Sequence, residues 1–413
     1  MTSELQNGEK RLVVVGAGVA GVSAAGAARA AGWDGSIVLI GDESGLPYRR
    51  PPVSKEVVRG EKTVDEIRIK PEAWYEKQGI ELRHGVGVTS LDTDGHTLTL
   101  GDGSTLGYAR LVLATGGSPR LLPDVPAGVV TLRQVGDADA LREQLTPGGH
   151  VVVVGAGLIG SEIAASAREA GAEVTLLETA SLPLPRILPA DLGTMYAELH
   201  ASQGTDLQTD VTVSAITETP DGLLVEASDG RSWTAPVVVL AVGMAPRTEL
   251  AESAGIELDP DLGGIAVDEL GRTSAADVYA AGDVAAMPNG VLGGRHRVEH
   301  WQGAQNHGSA VGRSAAGDEK AFVEVPWAWS DQYGHTLQVT GWPSAEHTTV
   351  VRGSLDDRDF TAFYLEGDVL RGAVTLGRPR EVRTARGWVA EHARLDATRL
   401  ADESVPLEES VLP

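Results

Sequence analysis

Two sets of glycines with the same spacing stand in this sequence, and each is followed by an acid. The Gly-x-Gly-x-x-Gly spacing occurs at Gly16, Gly18 and Gly21 and again at Gly155, Gly157 and Gly160. The acids are Asp42 and Glu178. In a dinucleotide site, one glycine permits a tight turn, the next lets the backbone approach a pyrophosphate, and the third permits close packing of helix on strand. The helix N-terminus binds the pyrophosphate, and the acid accepts a hydrogen bond from a ribose hydroxyl. The two sets therefore predict two dinucleotide sites.

The surrounding residues supply the strand, helix and strand that such a site needs. Residues 11–15 are an apolar run rich in β-branched side chains, small residues follow the glycines, and residues 36–40 form a second apolar run. Residues 150–178 repeat this design, because Gly155 stands 139 residues after Gly16. The repeat makes a chance arrangement of glycines a poor explanation.

A second internal repeat has a different offset. Residues 102–120 align without a gap on residues 229–247, an offset of 127. The matched pairs include Ala114 with Ala241, Gly116 with Gly243, and Pro119 with Pro246. Repeats of this kind indicate two domains of one design.

Other segments carry weaker signals. Residues 45–56 form a Pro-rich loop that leads into a predicted helix start at Ser54. Residues 80–106 alternate like strands and predict an antiparallel excursion. A later short apolar run predicts a strand that ends at Gly282 and Asp283. At the carboxyl ends of parallel strands, such an aspartate is well placed to contact a nucleotide.

The chain is therefore predicted to have an α/β fold with two Rossmann-like dinucleotide-binding domains and a C-terminal α+β domain. The first dinucleotide domain is discontinuous, at 1–120 and 245–322, and the second occupies 121–244. Aromatic and alternating residues from Ala321 onward predict an antiparallel sheet. We expect it to form a third domain at 323–413 that closes on the first.

The composition excludes several classes of function. The 413 residues include no cysteine, which excludes structural disulfides, a thiol nucleophile, a redox disulfide and cysteine-ligated metal centres. A formal net charge of −24 argues against binding to nucleic acid or to anionic membranes. The polar N-terminus and the glycine-broken apolar run after it predict neither a signal peptide nor a spanning helix. We expect a cytoplasmic protein without a metal site.

Two dinucleotide sites in one chain suggest that one holds a fixed redox cofactor and the other a diffusible one, with hydride passing between them. FAD is expected in the first site, since loops and later segments there could enclose a flavin, whereas the second unit is compact. Glu178 favours NADH over NADPH, because an acid accepts a hydrogen bond from a ribose 2′-hydroxyl but repels a 2′-phosphate. The residues directly after Glu178 offer no cation that could bind such a phosphate, and the nearest one is Arg186.

Several segments together resemble one protein family. They are RPPVSKE at 50–56, LVLATGGSPR at 111–120, TLR at 131–133, GAGLIGSE at 155–162, VYAAGD at 278–283, WAWSDQY at 327–333, RPRE at 378–381 and DESVPLEE at 402–409. They resemble the FAD-dependent ferredoxin reductases that serve bacterial cytochrome P450 and Rieske oxygenase systems. The resemblance implies a glutathione reductase-type fold, FAD and NADH as cofactors, and a [2Fe–2S] ferredoxin as acceptor. It also implies a monomer or a weak homodimer.

The resemblance also implies roles for individual residues. Lys55 is similar to a lysine beside the flavin ring, Glu162 to a glutamate near the nicotinamide, and Trp329 to an aromatic that closes over the ring. Implied FAD contacts are Gly16, Gly18, Ala20, Gly21, Asp42, Arg50, Lys55, Val88, Ala114, Thr115, Gly116, Arg133, Gly282, Asp283, Trp301 and Trp329. Implied NAD contacts are Gly155, Gly157, Ile159, Gly160, Glu162, Glu178, Arg186 and Gly243. The alternatives are an exposed lysine, a solvent-facing glutamate and ordinary core tryptophans.

The sequence departs from the family pattern at four positions. These are Arg247, where asparagine is common, Gly303 and His307, where asparagine and glutamine are common, and Ala328, where phenylalanine is common. The departures bear on flavin packing and on the choice of electron carrier. Because such carriers are usually acidic, docking on this acidic chain would need a local basic patch. Its candidates by sequence clustering are Arg49, Arg50, Arg295, Arg297 and Arg313.

Two other functions stay open on the sequence alone. The same plan serves NADH oxidases and reductases of rubredoxin or quinone-like acceptors, although the lack of cysteine disfavours the kinds that use a redox thiol. It also serves flavoproteins whose main role is to bind a partner, such as relatives of apoptosis-inducing factor. Electron transfer that depends on added ferredoxin would distinguish a ferredoxin reductase from both alternatives.

Overall fold

The computed structural model describes residues 10–185 and 187–413. Its strands are β1 (Arg11–Val15), β2 (Ser36–Gly41), β3 (Ile80–His84), β4 (Val88–Asp92), β5 (Thr97–Leu100), β6 (Thr105–Gly107), β7 (Arg110–Leu113), β8 (Gly117–Pro119), β9 (Val130–Thr131), β10 (His150–Val154), β11 (Glu173–Leu177), β12 (Thr205–Gln208), β13 (Val213–Thr219), β14 (Gly222–Ala227), β15 (Ser232–Ala235), β16 (Val237–Leu240), β17 (Met244–Pro246), β18 (Ile265–Ala266), β19 (Val278–Ala280), β20 (Ala285–Pro288), β21 (Arg295–His296), β22 (Trp327–Gln332), β23 (His335–Gly341), β24 (Thr348–Ser354), β25 (Asp359–Glu366) and β26 (Val369–Leu376). Its α-helices are α1 (Val19–Ala30), α2 (Glu72–Gln78), α3 (Val135–Gln144), α4 (Leu158–Glu169), α5 (Ala190–Ser202), α6 (Glu249–Ser253), α7 (Trp301–Ala315), α8 (Pro379–Ala390) and α9 (Ala397–Ala401). Short helical turns lie at Val53–Val57, Asp65–Ile67, Gly282–Val284 and Leu407–Ser410.

The described chain forms two compact units, each made of three segments. The first unit runs to Arg49 and then comprises 64–118 and 245–324. The second comprises 50–63, 119–244 and 325–413. The predicted boundaries between three domains stay a prediction.

A five-stranded parallel sheet is the centre of the first unit, in the order β19-β7-β1-β2-β3. Its strands are apolar because helices and loops cover both faces of such a sheet. The predicted antiparallel excursion at 80–106 is wrong in its first part. β3 pairs in parallel with β2, with Ile80 opposite Ile37, and only β4, β5 and β6 form an antiparallel meander. The cause is that β3 lies at the edge of the sheet, where one-sided burial produces the same alternation as in a meander strand.

Helices α1 and α7 lie unusually close together in the first unit because glycines face backbone. A Cβ atom built on Gly308 would lie 2.2 Å from the carbonyl oxygen of Ala20, and one on Gly312 would lie 2.1 Å from that of Ala24. Any larger residue at either glycine would push the helices apart. The close packing brings the N-terminal half of α7 to the glycine turn that precedes α1.

The second unit repeats the architecture of the first. Its parallel sheet has the order β9-β16-β10-β11-β12, and β13, β14 and β15 form an antiparallel meander like that of β4, β5 and β6. β10 and α4 begin 139 residues after β1 and α1, and β16 and β17 begin 127 residues after β7 and β8. Both offsets equal those found in the sequence, so the prediction of two domains of one design is confirmed.

The C-terminal part of the second unit is a five-stranded antiparallel sheet with helix α8. The strand order is β22-β23-β26-β25-β24, which confirms the sheet predicted from residue alternation. Phe360 and Tyr364 on β25 are fully buried and pack with Tyr196 of α5 in one apolar cluster. Among residues 10–185 and 187–413, no helix has both the length and the apolar character that crossing a bilayer requires.

Candidate functional site

The glycine turn between β1 and α1 has the geometry of a pyrophosphate cradle. Gly16 has φ of +107°, and a Cβ atom on it would lie 2.1 Å from the carbonyl oxygen of Ala114. A Cβ atom on Gly21 would lie 1.9 Å from the oxygen of Gly16. Around Gly18, by contrast, no described atom lies within 4 Å of the Cβ position. Two glycines are therefore fixed by packing, and the middle one leaves space for a ligand to approach the backbone.

The turn between β10 and α4 has the same geometry in the second unit. Gly155 has φ of +101°, with its Cβ position 2.5 Å from the oxygen of Ala241, and the Cβ position of Gly160 lies 1.9 Å from the oxygen of Gly155. The Cβ position of Gly157 again has no described atom within 4 Å. In the described residues, no side chain caps α1 or α4, and no acid stands in the first turn of either. The N–H groups of both helix ends are thus suited to an anion.

Asp42, the acid of the first cradle, pairs with Arg247. The guanidinium Nη1 lies 3.0 Å from Asp42 Oδ2, and both side chains are nearly half exposed. The Arg247 backbone is held at the end of β7, since its N–H donates to the oxygen of Gly116 at 3.0 Å and its carbonyl accepts from the Thr115 hydroxyl at 2.7 Å. Arg247, noted in the sequence only as a departure, therefore lies within the first cradle. Ala114, Thr115 and Gly116 lie there too, as expected from the packing of Ala114 on Gly16.

Glu178, the acid of the second cradle, is buried and is held by the backbone. Its Oε2 accepts from the N–H of Ala156, inside the glycine turn, at 2.7 Å. Its Oε1 accepts from the N–H of Ala180 and from the Thr179 hydroxyl, both at 3.0 Å. Ile159 lies in the first turn of α4, and Gly243 belongs to the same unit. Arg186 lies outside the described residues.

The strand β19 ends at Gly282 and Asp283, as predicted. Gly282 has φ of +78°, and its Cβ position lies 2.7 Å from the Cβ of Ala20, so the turn packs directly on the start of α1. Trp301 begins α7, and Val88 begins β4 and packs against the apolar core of the first unit. These residues are all in the unit that contains the first cradle, although their predicted contacts with FAD stay predictions.

A buried ion pair is the most distinctive polar feature of the second unit. Lys55 Nζ lies 3.1 Å from Glu162 Oε2, and the residues are only 6% and 5% exposed. The alternatives of an exposed lysine and a solvent-facing glutamate are therefore wrong. Lys55 lies in the π-helical turn Val53–Val57, a type of turn that is frequent at functional sites.

Two serines complete the coordination of this carboxylate. Ser54 Oγ donates to Glu162 Oε2 at 2.5 Å, and Ser330 Oγ donates to Oε1 at 2.8 Å. Gln332 Nε2 in turn donates to Ser330 Oγ at 3.1 Å. A buried carboxylate loses several kcal/mol of hydration, and such donors are what makes its ionised form tolerable. The cluster therefore fixes the Lys55 side chain beside the Glu162 carboxylate in a site shielded from water.

Sequence reasoning gave Ser54 only a predicted helix start, close to the observed turn Val53–Val57, and assigned no role to Ser330, although the pattern of β22 carried a signal. Along this strand the buried positions alternate and include Ser330 and Gln332. Polar residues in the buried phase of a strand need buried partners. Trp327 and Trp329 occupy the other phase, stacked with ring centroids 5.1 Å apart, and both are only partly buried. Trp329 is thus not an ordinary core residue.

The remaining predicted residues are engaged within their own units. Arg50 Nη1 donates to the carbonyl oxygen of Arg133 at 2.6 Å, which joins two predicted FAD contacts. Arg295 donates to backbone carbonyls, Arg297 pairs with Glu299, and Arg313 lies 3.7 Å from Asp318. Arg49 donates to the carbonyl of Glu66 at 3.2 Å. The described arginines therefore have local partners, and a basic docking patch stays a prediction.

The two cradles define a protein that binds two dinucleotides. Comparison with known proteins gives the same class. The family model described as pyridine nucleotide-disulphide oxidoreductase matches residues 10–308, and the model described as reductase C-terminal matches 327–411. The chain belongs to the pyridine nucleotide-disulphide oxidoreductase family. The fold predicted from the sequence is confirmed.

Individual relatives narrow the likeness. The chain is 40% identical to the anthranilate 1,2-dioxygenase system ferredoxin–NAD(+) reductase component of Burkholderia cepacia, over 96% of this chain and 98% of the other. It is 35% identical to putidaredoxin reductase of Pseudomonas putida, over 98% and 97%. A crystal structure of the covalent putidaredoxin reductase–putidaredoxin complex matches with a TM-score of 0.93 and 35% identity, covering 98% of each chain. The resemblance drawn from the sequence motifs is thereby confirmed.

Proposed function

We propose that this protein is an NADH-dependent, FAD-containing ferredoxin reductase. It passes hydride from NADH to FAD and then single electrons to a [2Fe–2S] ferredoxin that feeds a cytochrome P450 or a Rieske oxygenase. The observation that carries the proposal is a duplicated dinucleotide cradle in a chain without cysteine. With no thiol in the chain, electrons from a bound flavin have no internal disulfide to reduce, so they leave to an acceptor outside the chain.

The first unit supplies the groups for the dinucleotide half of FAD. The open N-terminus of α1 at Gly18 binds the pyrophosphate, and Asp42 accepts a hydrogen bond from a ribose hydroxyl. Gly282 and Asp283 hold the chain between the phosphates and the ring. When bound, FAD supplies the step between two-electron and one-electron chemistry. The fit rests on the space at Gly18 and on the uncapped helix.

Lys55, Glu162 and Trp329, which resemble family residues near the flavin ring and the nicotinamide, are the residues proposed to act on the reacting rings. Lys55 places a fixed positive charge where negative charge develops on reduction, which is electrostatic stabilisation. Glu162, which is held by its two serines, orients that ammonium. Trp329 excludes water. The cradle at Gly155, Gly157 and Gly160 binds NADH, with Glu178 selecting the unphosphorylated ribose.

We also propose the three-domain division predicted from the sequence, with FAD on 1–120 and 245–322, NADH on 121–244, and a C-terminal domain at 323–413. The start of the reductase C-terminal match at residue 327 supports the last boundary. A monomer or weak homodimer in the cytoplasm completes the proposal, because NADH is available there as reductant. Cell fractionation with an antibody to the protein tests the location.

Two measurements test the proposed function. The purified protein should show a flavin band near about 450 nm that NADH bleaches without oxygen and that NADPH bleaches far more slowly. Cytochrome c reduction by NADH should then depend on added ferredoxin, with putidaredoxin as the probe. Equal rates with and without the ferredoxin would indicate an oxidase or a partner-binding flavoprotein instead.

A further inference from the structure

The turn at Gly282 and Asp283 is tightly placed in the first unit. The positive φ of Gly282 requires glycine, and its Cβ position lies 2.7 Å from the Cβ of Ala20 in α1 and 3.6 Å from that of Ala304 in α7. The turn is therefore wedged between the two helices. Its backbone polar groups still need partners, because buried peptide groups without hydrogen bonds are costly.

One of those partners is a histidine. His307 on α7 is 2% exposed, and its Nδ1 accepts a hydrogen bond from the N–H of Gly282 at 3.2 Å. A peptide N–H only donates, so Nδ1 must carry no proton and the ring must be the neutral Nε2–H tautomer. Burial lowers the pKa of His307 to about 4, which keeps the ring in this form near neutral pH.

The ring is itself fixed in place. It stacks on Phe322 with centroids 5.1 Å apart and an interplanar angle of 25°. On α7 the next residue, Gly308, is the glycine that abuts the backbone of Ala20. Stacking and helix contact together leave the imidazole little freedom to turn away from Gly282.

A second side chain holds the other side of the turn. Arg297 Nη1 donates to the carbonyl oxygen of Asp283 at 3.3 Å, and its guanidinium also pairs with Glu299. One peptide N–H and one peptide C=O of the turn are thus each held by a side chain. Both the ring of His307 and the guanidinium of Arg297 are mostly shielded from water.

We propose that His307 is a positioning residue of the FAD site, whose neutral imidazole fixes the Gly282–Asp283 turn so that Asp283 meets the bound cofactor. The inference rests on the proposed binding of FAD to this unit. His307 acts through the backbone of Gly282, and the requirement is for a hydrogen-bond acceptor at the position of Nδ1.

That requirement separates two substitutions of similar size. His307→Gln keeps an acceptor, because the amide oxygen can take the Gly282 N–H, whereas His307→Leu fills the space and leaves the N–H unsatisfied. Apoprotein of each variant is titrated with FAD, and quenching of flavin fluorescence gives the dissociation constant. We expect His307→Leu to raise the constant about tenfold, which corresponds to about 1.4 kcal/mol. His307→Gln should stay within about threefold of wild type.

A matched control removes a buried histidine from the second unit. His200 is fully buried on α5, and its Nδ1 lies 3.0 Å from the hydroxyl of Tyr333. His200→Leu should lower the melting temperature of the apoprotein and leave the FAD constant within about threefold. A general loss of stability therefore does not reproduce the effect of His307→Leu.

Two outcomes would overturn the inference: equal weakening by His307→Gln and His307→Leu, or wild-type affinity in His307→Leu. If His307→Leu does not fold, His307→Asn replaces it, since its shorter amide cannot reach the Gly282 N–H and should weaken FAD binding relative to His307→Gln. Equal affinity of these two amide variants would then count against the inference. A wild-type apoprotein that binds no FAD would instead refute the proposed function, so the two failures are distinct.

Discussion

The two cradles share one backbone geometry but treat their acids differently. In each glycine turn the first and third glycines are tightly packed, and the middle glycine is open. Asp42 is nearly half exposed and pairs with a side chain, Arg247. Glu178 is 8% exposed and is held by N–H groups of its own cradle. The duplicated backbone therefore sets where a dinucleotide binds, and the surroundings of the acid set how it is recognised.

The difference has an energetic meaning. A half-exposed ion pair contributes roughly 0–1 kcal/mol, so Asp42 can exchange its partner at little cost. Hydrogen bonds from N–H groups to a buried carboxylate contribute about 1.5–3 kcal/mol, so Glu178 is fixed before any ligand arrives. We infer that the second cradle is preorganised for a cofactor that must bind and leave in each turnover. The first cradle can adjust around a cofactor that stays.

Substitution of the first glycine in each cradle should produce the largest effect. Gly16→Val and Gly155→Val each force a side chain onto a backbone oxygen and into a positive φ. We expect Gly16→Val to lose bound FAD, with affinity reduced more than about a hundredfold. Gly155→Val should keep FAD but lose its reduction by NADH.

Each glycine variant is the control for the other. The flavin band of the purified protein and its bleaching by NADH are measured in both. If Gly155→Val lost FAD and Gly16→Val kept it, the assignment of the two cofactors would be reversed.

Acidification should destabilise both units, and one fully buried histidine in each contributes to this loss. Burial lowers the pKa of His200 and of His307 from the ordinary 6.5 to about 4. Between these values the unfolded chain binds protons that the folded chain does not, so stability falls as pH drops from about 6.5 to about 4. Each histidine contributes on the order of 3 kcal/mol to this loss.

Urea unfolding of the apoprotein at a series of pH values measures the loss. His307→Gln should remove the contribution of His307 to the pH dependence, because glutamine does not titrate. A pH dependence unchanged in this variant would show that His307 is not neutral in the folded state.

Substitution of Glu178 should weaken cofactor binding more than substitution of Asp42. Glu178→Gln turns an amide NH₂ group towards N–H donors, and we expect KM for NADH to rise about 10–30-fold. Asp42→Asn disturbs only one half-exposed pair and one ribose contact, so the FAD dissociation constant should rise about 3–5-fold. Steady-state kinetics and FAD titration give the two numbers.

An equal or larger effect at Asp42 would contradict the contrast between the two cradles. NADPH is the control substrate for Glu178→Gln. The ratio of kcat/KM for NADH to that for NADPH should fall, since the lost carboxylate no longer repels a 2′-phosphate.

The smallest expected effect is at Arg247. Its replacement by asparagine removes a cation beside the first cradle, and FAD, whose pyrophosphate is anionic, should bind about 2–5-fold more weakly at low salt. The difference from wild type should shrink as salt is added, because the pair with Asp42 is exposed. Tighter FAD binding in Arg247→Asn would show instead that Arg247 competes with the ribose for Asp42.

Local patterns in the sequence account for most of the fold. Glycine spacing and apolar runs located both parallel sheets because they depend on residues close in the chain, and the two repeat offsets showed that these local patterns occur twice. The error at β3 arose because an edge strand and a meander strand alternate alike. No local signal could distinguish a parallel partner from an antiparallel one.

The candidate site was less accessible to the sequence. Lys55 and Glu162 were identified only through family resemblance, and their mutual contact was not foreseen. Ser54 and Ser330 meet the same carboxylate from positions 108 residues before and 168 residues after it in the chain. Contacts of that separation are set by tertiary packing, which no nearby pattern records. Arg247 shows the same limit, since its pair with Asp42 spans 205 residues.

The division of each compact unit into three chain segments has a consequence for synthesis and engineering. The first unit needs residues as far apart as its opening strand and 245–324, so it cannot be completed until most of the chain has left the ribosome. Neither unit can be obtained by simple truncation, because every cut removes part of both or leaves one with missing strands. Exchanging an entire unit between relatives would therefore require several junctions, one at each segment boundary. We expect functional chimeras when all three segments of a unit are exchanged together, and fewer from fusions with a single crossover.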